Sequence, residues 1–515
     1  MRFCTTTLGC KVNQYDTQTI ESILGERGHE FVTPGEGCDV CIINTCAVTA
    51  ESVRKWRQAI RRMKKLEPNA LIAVCGCFSQ LEPDAIKKLD ADLIGGATDR
   101  EEFALEIERV TRERATREHG DSVPVSLPVV YVTTASQSEE HCVSSASRSA
   151  GRSTRLASSW PETPHSLSRS RAHASAQRTR ALLKIQDGCD NFCAYCVIPY
   201  ARGPSRSMPQ ERIAEHAKQL EEQGYKEIVI TGIEISAYGR DFKQDFSETQ
   251  KNHKTVIAVS EPQSHEERII NGIAGRARND ENNYTSPDPY SLITIPLLTA
   301  LQTIQAAAPS ARLRLGSLDP AMITTGFCQK LSEIPNICNH FQLSLQSGCD
   351  ETLRRMGRKY DINQALQAIT ALRDNFSDCA ITADLITGFP GETDAEFEQT
   401  LKHIKKADFA DMHIFPFSPR PGTAAADMPG QIEKSIRRKR AQAATEEATQ
   451  MANKFKHAQI GKTVEVLFEQ EKNGYSIGHS KNYLKIAVKN RAKRNSLHNV
   501  RLSNIKKDLM MGEIV

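Results

Sequence analysis

The chain has 515 residues, enough for about three domains of ordinary size. Its 39% hydrophobic and 25% charged residues exclude a disordered or fibrous composition, and a net charge of +4 excludes any argument from overall charge to a polyanionic partner. No apolar run reaches the roughly 18 residues of a membrane span, and MRFCTTTLGC lacks a basic-then-apolar secretory start, so the 15 cysteines are expected to be thiols or metal ligands in a reducing cytoplasm.

At the N-terminus, RFCTTTLG, VCIINTC and ALIAVCG predict strands, with QYDTQTIESILGERG and TAESVRKWRQAIRRMKKLEP as helices. This βαβ rhythm predicts a doubly wound parallel sheet, helices on both faces, over residues 1–112. Cys10, Cys46 and Cys77 each fall at or just past the carboxyl end of a strand, the edge where open α/β sheets hold ligands. Cys41 and Cys75 lie inside strands, where a buried thiol is a small hydrophobe. The C-x2-C pair Cys38 and Cys41 therefore reads as a decoy, and Cys4, Cys328, Cys338, Cys349 and Cys379 as structural thiols.

Residues 113–177 are rich in Ser, Arg, Thr and Pro, as in SSASRSAGRSTRLASSW, and predict a low-complexity linker or insertion. Its arginines offer RNA contacts on one reading and a solvated spacer on the other, and Cys142 is a bystander there. From 178 to 440, ALLKIQDGC, KEIVITG, ARLRLGSL, HFQLSLQSG, AITADLITG and ADMHIFPFS alternate with helical segments. They predict an incomplete parallel (β/α)6 barrel with its site at the carboxyl strand ends. A polar excursion at about 241–289 interrupts it. After the basic helix EKSIRRKRAQAATEEATQMANKFKHAQIG, residues 455–515 alternate as a small β-barrel does.

The loop after the first barrel strand, DGCDNFCAYCVIPYARG, carries Cys189, Cys193 and Cys196 as C-x3-C-x2-C. Three clustered thiolates suit a [4Fe-4S] cluster with one iron left open; zinc would want a fourth Cys or His nearby, and the flanks offer neither. Tyr195 covers either the cluster or a bound adenine, unless it is ordinary loop packing. Gly232 and Glu234 end the second strand, Ser317 and Asp319 follow the third, and Ser344 and Gln346 the fourth, all at the same mouth. Gly388 to Glu392, GFPGE, shapes the adenine side of the pocket on one reading and is a plain strand-to-helix turn on the other.

These residues resemble the radical S-adenosylmethionine superfamily. KIQDGCDNFCAYCVIPYARGPSRS, LSLQSGCDETLRRMGRKY, DLITGFPGETDAEFEQT and FPFSPRPGTAAADMPGQ are similar to its methylthiotransferases, over roughly 1–110 and 178–515. The resemblance implies two [4Fe-4S] clusters, on Cys189, Cys193 and Cys196 and on Cys10, Cys46 and Cys77, with S-adenosyl-L-methionine as cofactor. It implies Tyr195, Gly232, Glu234, Ser317 and Ser344 as cofactor-binding residues, and an RNA-binding TRAM-like C-terminal barrel. TLGCKVNQYDTQ looks most like the branch acting on N6-threonylcarbamoyladenosine of tRNA beside the anticodon. The alternatives are isopentenyladenosine in tRNA or a ribosomal protein, and outside catalysis an RNA-binding iron–sulfur sensor. The implied partners are tRNA, a low-potential electron donor such as a flavodoxin or ferredoxin, and a sulfur source. In the implied reaction, one cofactor molecule methylates a cluster-borne sulfur and another yields the radical that activates C2 of adenine. That C–H carbon has no acidity for general acid–base catalysis to use, and the base must leave its stack to reach the pocket.

Phosphate contacts need accessible Lys or Arg. Candidates are Arg354, Arg355, Arg358 and Lys359; Lys434, Arg437, Arg438, Lys439 and Arg440; and Lys485, Lys489, Arg491, Lys493 and Arg494 in the barrel.

Overall fold

The computed structural model describes residues 1–117, 129–131, 178–242, 291–489 and 491–515. The N-terminal strands are β1 (Arg2–Thr7), β2 (Glu30–Phe31), β3 (Val40–Thr45), β4 (Leu71–Gly76), β5 (Leu93–Gly95) and β6 (Val129–Tyr131). They form one parallel sheet in the order β2-β1-β3-β4-β5-β6. The helices are α1 (Lys11–Glu26), α2 (Ala50–Leu66), α3 (Cys77–Leu81), α4 (Pro83–Lys87) and α5 (Arg100–Arg117). Strand alternation assigns Phe3, Ile42, Ala73 and Leu93 to the face covered by α1 and α5. Cys4, Cys41, Ile43, Ile72 and Val74 face α2 and α3. The sheet is therefore doubly wound as expected.

The expected linker at 113–177 is corrected at its start. α5 runs on to Arg117, and β6 within that stretch pairs in parallel with β5. Short apolar strands such as VVY carry too little pattern to be read against a polar background. The rest of that stretch, and the excursion at 241–289 beyond Phe242, lie outside the described residues.

The central strands are β7 (Ala181–Lys184), the short pair β8 (Gln186–Asp187) and β9 (Arg206–Ser207), β10 (Glu227–Thr231), β11 (Arg312–Leu315), β12 (Ser317–Leu318), β13 (His340–Gln346), β14 (Ala380–Thr387) and β15 (Asp411–Pro416). β7, β10 and β11 pair in parallel, as do β12 to β15. Only Gly316 separates β11 from β12, so six parallel strand positions run in chain order as an incomplete barrel. Leu183, Ile228, Ile230, Leu313, Phe341, Leu343 and Ile381 pack outward onto the helices. Many of the alternate positions are polar, including Lys184, Glu227, Arg314, Gln342 and Asp384, while Leu182 and Val229 pack against Tyr15. Glu227 accepts from both Arg312 (2.6 Å) and Arg314 (2.7 Å) at the amino end of the barrel.

Five further strands, β16 (Thr463–Lys472), β17 (Tyr475–Ser480), β18 (Lys485–Val488), β19 (Leu497–Lys506) and β20 (Leu509–Ile514), close a small barrel in the order β16-β17-β18-β20-β19. Arg312 donates to His479 O (2.8 Å), and Arg314 to Ser480 O (3.0 Å) and Lys481 O (2.9 Å). The small barrel thus plugs the amino mouth of the larger one and leaves the carboxyl mouth facing the N-terminal sheet. None of the described helices is long and apolar enough to cross a membrane.

Candidate active site

Cys10 caps α1, Cys46 follows β3 and Cys77 opens α3, so three strand ends present the dispersed triad. The reversal of strand order between β1 and β3 is the switch point at which an open α/β sheet binds ligands. Gly9 (φ +118°) is required here. A Cβ on it would lie 2.9 Å from Cys46 Cβ and 3.1 Å from Cys46 Sγ. Asn13 Oδ1 stands 3.9 Å from Cys10 Sγ and 3.8 Å from Cys77 Sγ, and Asn13 Nδ2 donates to Leu8 O and Thr45 O. Cys46 and Cys77 are buried while Cys10 is exposed. Two ligands are thus rigidly held, and one edge stays open.

Arg202, the last residue of a short helix α6 (Ile198–Arg202), is fully buried. Its Nε donates to Cys77 Sγ (3.3 Å), and its other nitrogens to Asn13 Oδ1 (2.7 Å), Asp16 Oδ2 (2.8 Å) and Asp187 Oδ1 (3.0 Å). Lys184 bridges the same two carboxylates at 2.7 and 2.8 Å, and Arg100 reaches Asp16 at 3.2 Å. Burial alone would raise the Asp16 carboxyl, but Lys184, Arg202 and Arg100 hold it at about 2. The three cations outnumber Asp16 and Asp187 by one, with Arg206 at the rim, 4.0 Å from Asp187. A [4Fe-4S]2+ core on three thiolates carries one net negative charge, so the pocket is electrostatically suited to that group.

The compact triad sits on the loop between β8 and α6. Gly188 (φ +70°) starts it, where a Cβ would fall 1.9 Å from Pro204 O. The Cys189 amide donates to Gly203 O (3.1 Å) and the Cys196 amide to Cys193 O (2.9 Å). Burial pushes the Cys189 thiol up to about 11 and the Cys196 thiol to about 12. Free thiols here hold their protons, and loading a metal must release them. Arg358 donates to Cys193 Sγ (3.4 Å), Asp319 Oδ2 (3.0 Å) and both Ser344 O and Oγ (3.2 Å). Each triad therefore has a buried arginine on a cysteine sulfur.

The other expected residues line the same mouth. Gly232 packs against Gln186, whose Oε1 accepts from the Glu234 amide (2.9 Å). Burial and the nearby Asp319 carboxylate push Glu234 up to about 7. Ser317 Oγ is buried with no hydrogen-bond partner among the described residues, which leaves a polar group free to meet a ligand. Ser344 Oγ donates to Leu318 O (3.2 Å). Tyr195 meets Phe389 of the GFPGE turn edge-on at 6.4 Å, and Phe389 meets Phe417 at 5.3 Å.

Several cations expected on an RNA surface are engaged elsewhere. Arg358 is the ligand-loop arginine above. Arg440 is buried on Glu392 (2.8 Å) and Asp394 (2.7 Å), Arg355 pairs with Glu396 (2.6 Å), and Arg437 donates to Phe417 O (2.6 Å). Arg354, Lys359, Lys434, Arg438 and Lys439 remain exposed, as do Lys485, Lys489, Arg491, Lys493 and Arg494. Sequence reasoning also assigned nothing to Asn13, Asp16, Lys184, Asp187 and Arg202. Their spacing carries no period, and only Arg202, six residues past Cys196 at the end of α6, stood where a signal was available.

A family model described as uncharacterized protein family UPF0004 matches residues 2–96, and one for the radical SAM superfamily matches 183–275 and 300–404. The threonylcarbamoyladenosine tRNA methylthiotransferase MtaB of Bacillus subtilis is 31% identical, covering 94% of this chain and 89% of that protein. Its namesake in Thermotoga maritima is 30% identical, covering 98% and 94%. The tRNA-2-methylthio-N(6)-dimethylallyladenosine synthase of Geobacillus kaustophilus is 28% identical, covering 100% and 82%. With both cysteine triads at facing strand ends and relatives of this identity along nearly its whole length, the chain belongs to the methylthiotransferase family of radical S-adenosylmethionine enzymes, in the threonylcarbamoyladenosine branch.

Proposed function

We propose that this protein adds a methylthio group to C2 of N6-threonylcarbamoyladenosine at position 37 of tRNA. The observation that carries the reading is the pair of cysteine triads on either side of one mouth, joined through Arg202, at the end of the helix that follows the compact triad's loop, to Cys77 of the other. Cys189, Cys193 and Cys196 would hold one [4Fe-4S] cluster, and Cys10, Cys46 and Cys77 a second. When bound, the clusters and S-adenosylmethionine supply the radical, methyl and sulfur chemistry.

The chain's own residues position and shield. Glu234 would hold the cofactor's ammonium, whose positive charge would favour the carboxylate that burial disfavours. Ser317, Ser344 and the backbone at Gly232 would meet its other polar groups, and Tyr195, edge-on to Phe389, would cover its apolar side. Arg358 fixes Cys193, Asp319 and Ser344 in one arrangement. The exposed cations of the small barrel, Lys485, Lys489, Arg491, Lys493 and Arg494, engage tRNA phosphates. A low-potential flavodoxin- or ferredoxin-type donor and a sulfur source complete the turnover, in the cytoplasm.

Mass spectrometry of tRNA nucleosides from cells with and without the protein tests this. Loss of the 2-methylthio derivative of threonylcarbamoyladenosine is expected. An unchanged nucleoside profile, or loss of the isopentenyl derivative instead, sinks the assignment.

A further inference from the structure

Outside both triads, three more cysteines meet at the opposite end of the N-terminal sheet. Cys4 in β1 and Cys41 in β3 are register partners on adjacent parallel strands, so their side chains share a face. Cys38, two residues before β3, folds over them. The Sγ–Sγ distances are 3.3 Å for Cys4–Cys41, 3.5 Å for Cys38–Cys41 and 3.6 Å for Cys38–Cys4.

Among the described residues, this is the group of three His, Cys, Asp or Glu side chains whose ligand atoms all lie within 4.8 Å of one another; neither iron–sulfur triad is that tight. The difference has a chemical reason. The cysteines of a cubane bind separate irons and stand apart, whereas the ligands of one ion crowd around it. Thiolates about 2.3 Å from a tetrahedral zinc stand about 3.8 Å from one another, so an ion would spread the sulfurs, now 3.3 to 3.6 Å apart, by about half an ångström at most. A disulfide would use two of these sulfurs and leave the third pressed against both without a role.

We propose that Cys4, Cys38 and Cys41 form a mononuclear site for a thiophilic d10 cation, zinc, separate from the iron–sulfur centres. Five residues along β3 place Cys41 about 16 Å from Cys46. The loop that carries Cys38 is fixed by Glu67, whose carboxylate accepts from the amides of Gly35 (2.6 Å), Gly37 (3.2 Å) and Cys38 (3.3 Å). That is the outer support a ligand loop needs. A cleft of about 260 Å³, lined by Arg2, Cys38, Asp39, Glu67 and Asn69, opens beside Cys38. It gives the ion an entry path and leaves the fourth position to water. Bound there, the ion ties the Cys38 loop to β1 and β3.

The test uses the full-length protein with its clusters reconstituted anaerobically, incubated with zinc chloride, passed over a weak chelator and assayed for zinc, iron and sulfide. One equivalent of zinc is expected, lost in both Cys38→Ser and Cys41→Val with iron and sulfide unchanged. Cobalt in place of zinc should give thiolate-to-metal charge-transfer absorption that Cys38→Ser removes. Cys41→Val keeps an apolar side chain on a buried face, so zinc loss at constant iron cannot be ascribed to unfolding. The proposal is overturned if the native chain retains no zinc, if either variant retains it, or if a disulfide among these three cysteines is found in the anaerobically purified protein.

Discussion

The two iron–sulfur triads of this chain reach the same chemistry by opposite routes. Cys189, Cys193 and Cys196 come from eight residues of one loop, and local hydrogen bonds such as Cys196 amide to Cys193 O set their spacing. Cys10, Cys46 and Cys77 come from three strand ends and meet only because β1, β3 and β4 are neighbours in one sheet. Yet each triad has an arginine on a sulfur, Arg358 on Cys193 and Arg202 on Cys77. A loop can supply ligands by sequence proximity, while counter-charge in a dry pocket must be imported by the fold.

The largest effect breaks the comparison at the ligands. Cys193→Ala should abolish both reductive cleavage of S-adenosylmethionine and methylthiolation. Cys10→Ala should leave cleavage intact and bring methylthiolation to background, read as 5′-deoxyadenosine and modified tRNA in the same anaerobic assay. Methylthiolation surviving in the Cys10 variant would refute the division of labour.

The arginines sharpen it next. Arg202→Met leaves Asp16 and Asp187 with one fewer buried partner, a change that costs about 3–5 kcal/mol in comparable buried pairs. Denaturant midpoints of the cluster-free protein measure it. Arg358→Gln removes the buried 3.0 Å partner of Asp319 alone, so it should lower that midpoint less than Arg202→Met does and lower cofactor cleavage about 10–100-fold. Equal destabilisation by both variants would show that the arginines do not differ in kind.

A smaller effect concerns protons. The Glu234 carboxyl is raised from 4.5 to about 7, so the folded protein keeps a proton that the unfolded chain loses between those values. Its stabilising contribution is whole below pH 4.5 and declines as pH rises through about 7. Glu234→Gln should flatten this dependence, worth at most about 3 kcal/mol, in unfolding titrations of the cluster-free protein across that window. A variant that keeps the native pH slope would assign the dependence to other groups.

The smallest effect belongs to charges that stay in water. Replacing Lys489, Arg491, Lys493 or Arg494 singly by Ala should weaken tRNA binding modestly. Each should lower the slope of log K against log salt by about 0.7–0.9 if it contacts a phosphate. Slopes that do not change would remove the small barrel from the RNA footprint.

Much of this was legible in the sequence because it is local. Short apolar runs such as RFCTTT and VCIINT become β1 and β3, and C-x3-C-x2-C is a ligand loop wherever it folds. The same locality hid tertiary partners in two places. Arg358, Arg437 and Arg440 read as surface charge because nothing in their neighbourhood announces Cys193, Phe417 or Glu392 as partners. The contact of Cys38 and Cys41 with Cys4 was equally hidden, because Cys4 lies 34 residues from Cys38 in the chain. By itself the sequence determined the strands, the helices, the compact cysteine loop and the alternation that winds the first sheet on both faces. Tertiary structure alone decided which strand ends adjoin, which arginines are dry and which cysteines share a centre. Those outcomes depend on contacts between residues tens to hundreds apart, whose partners no local pattern specifies.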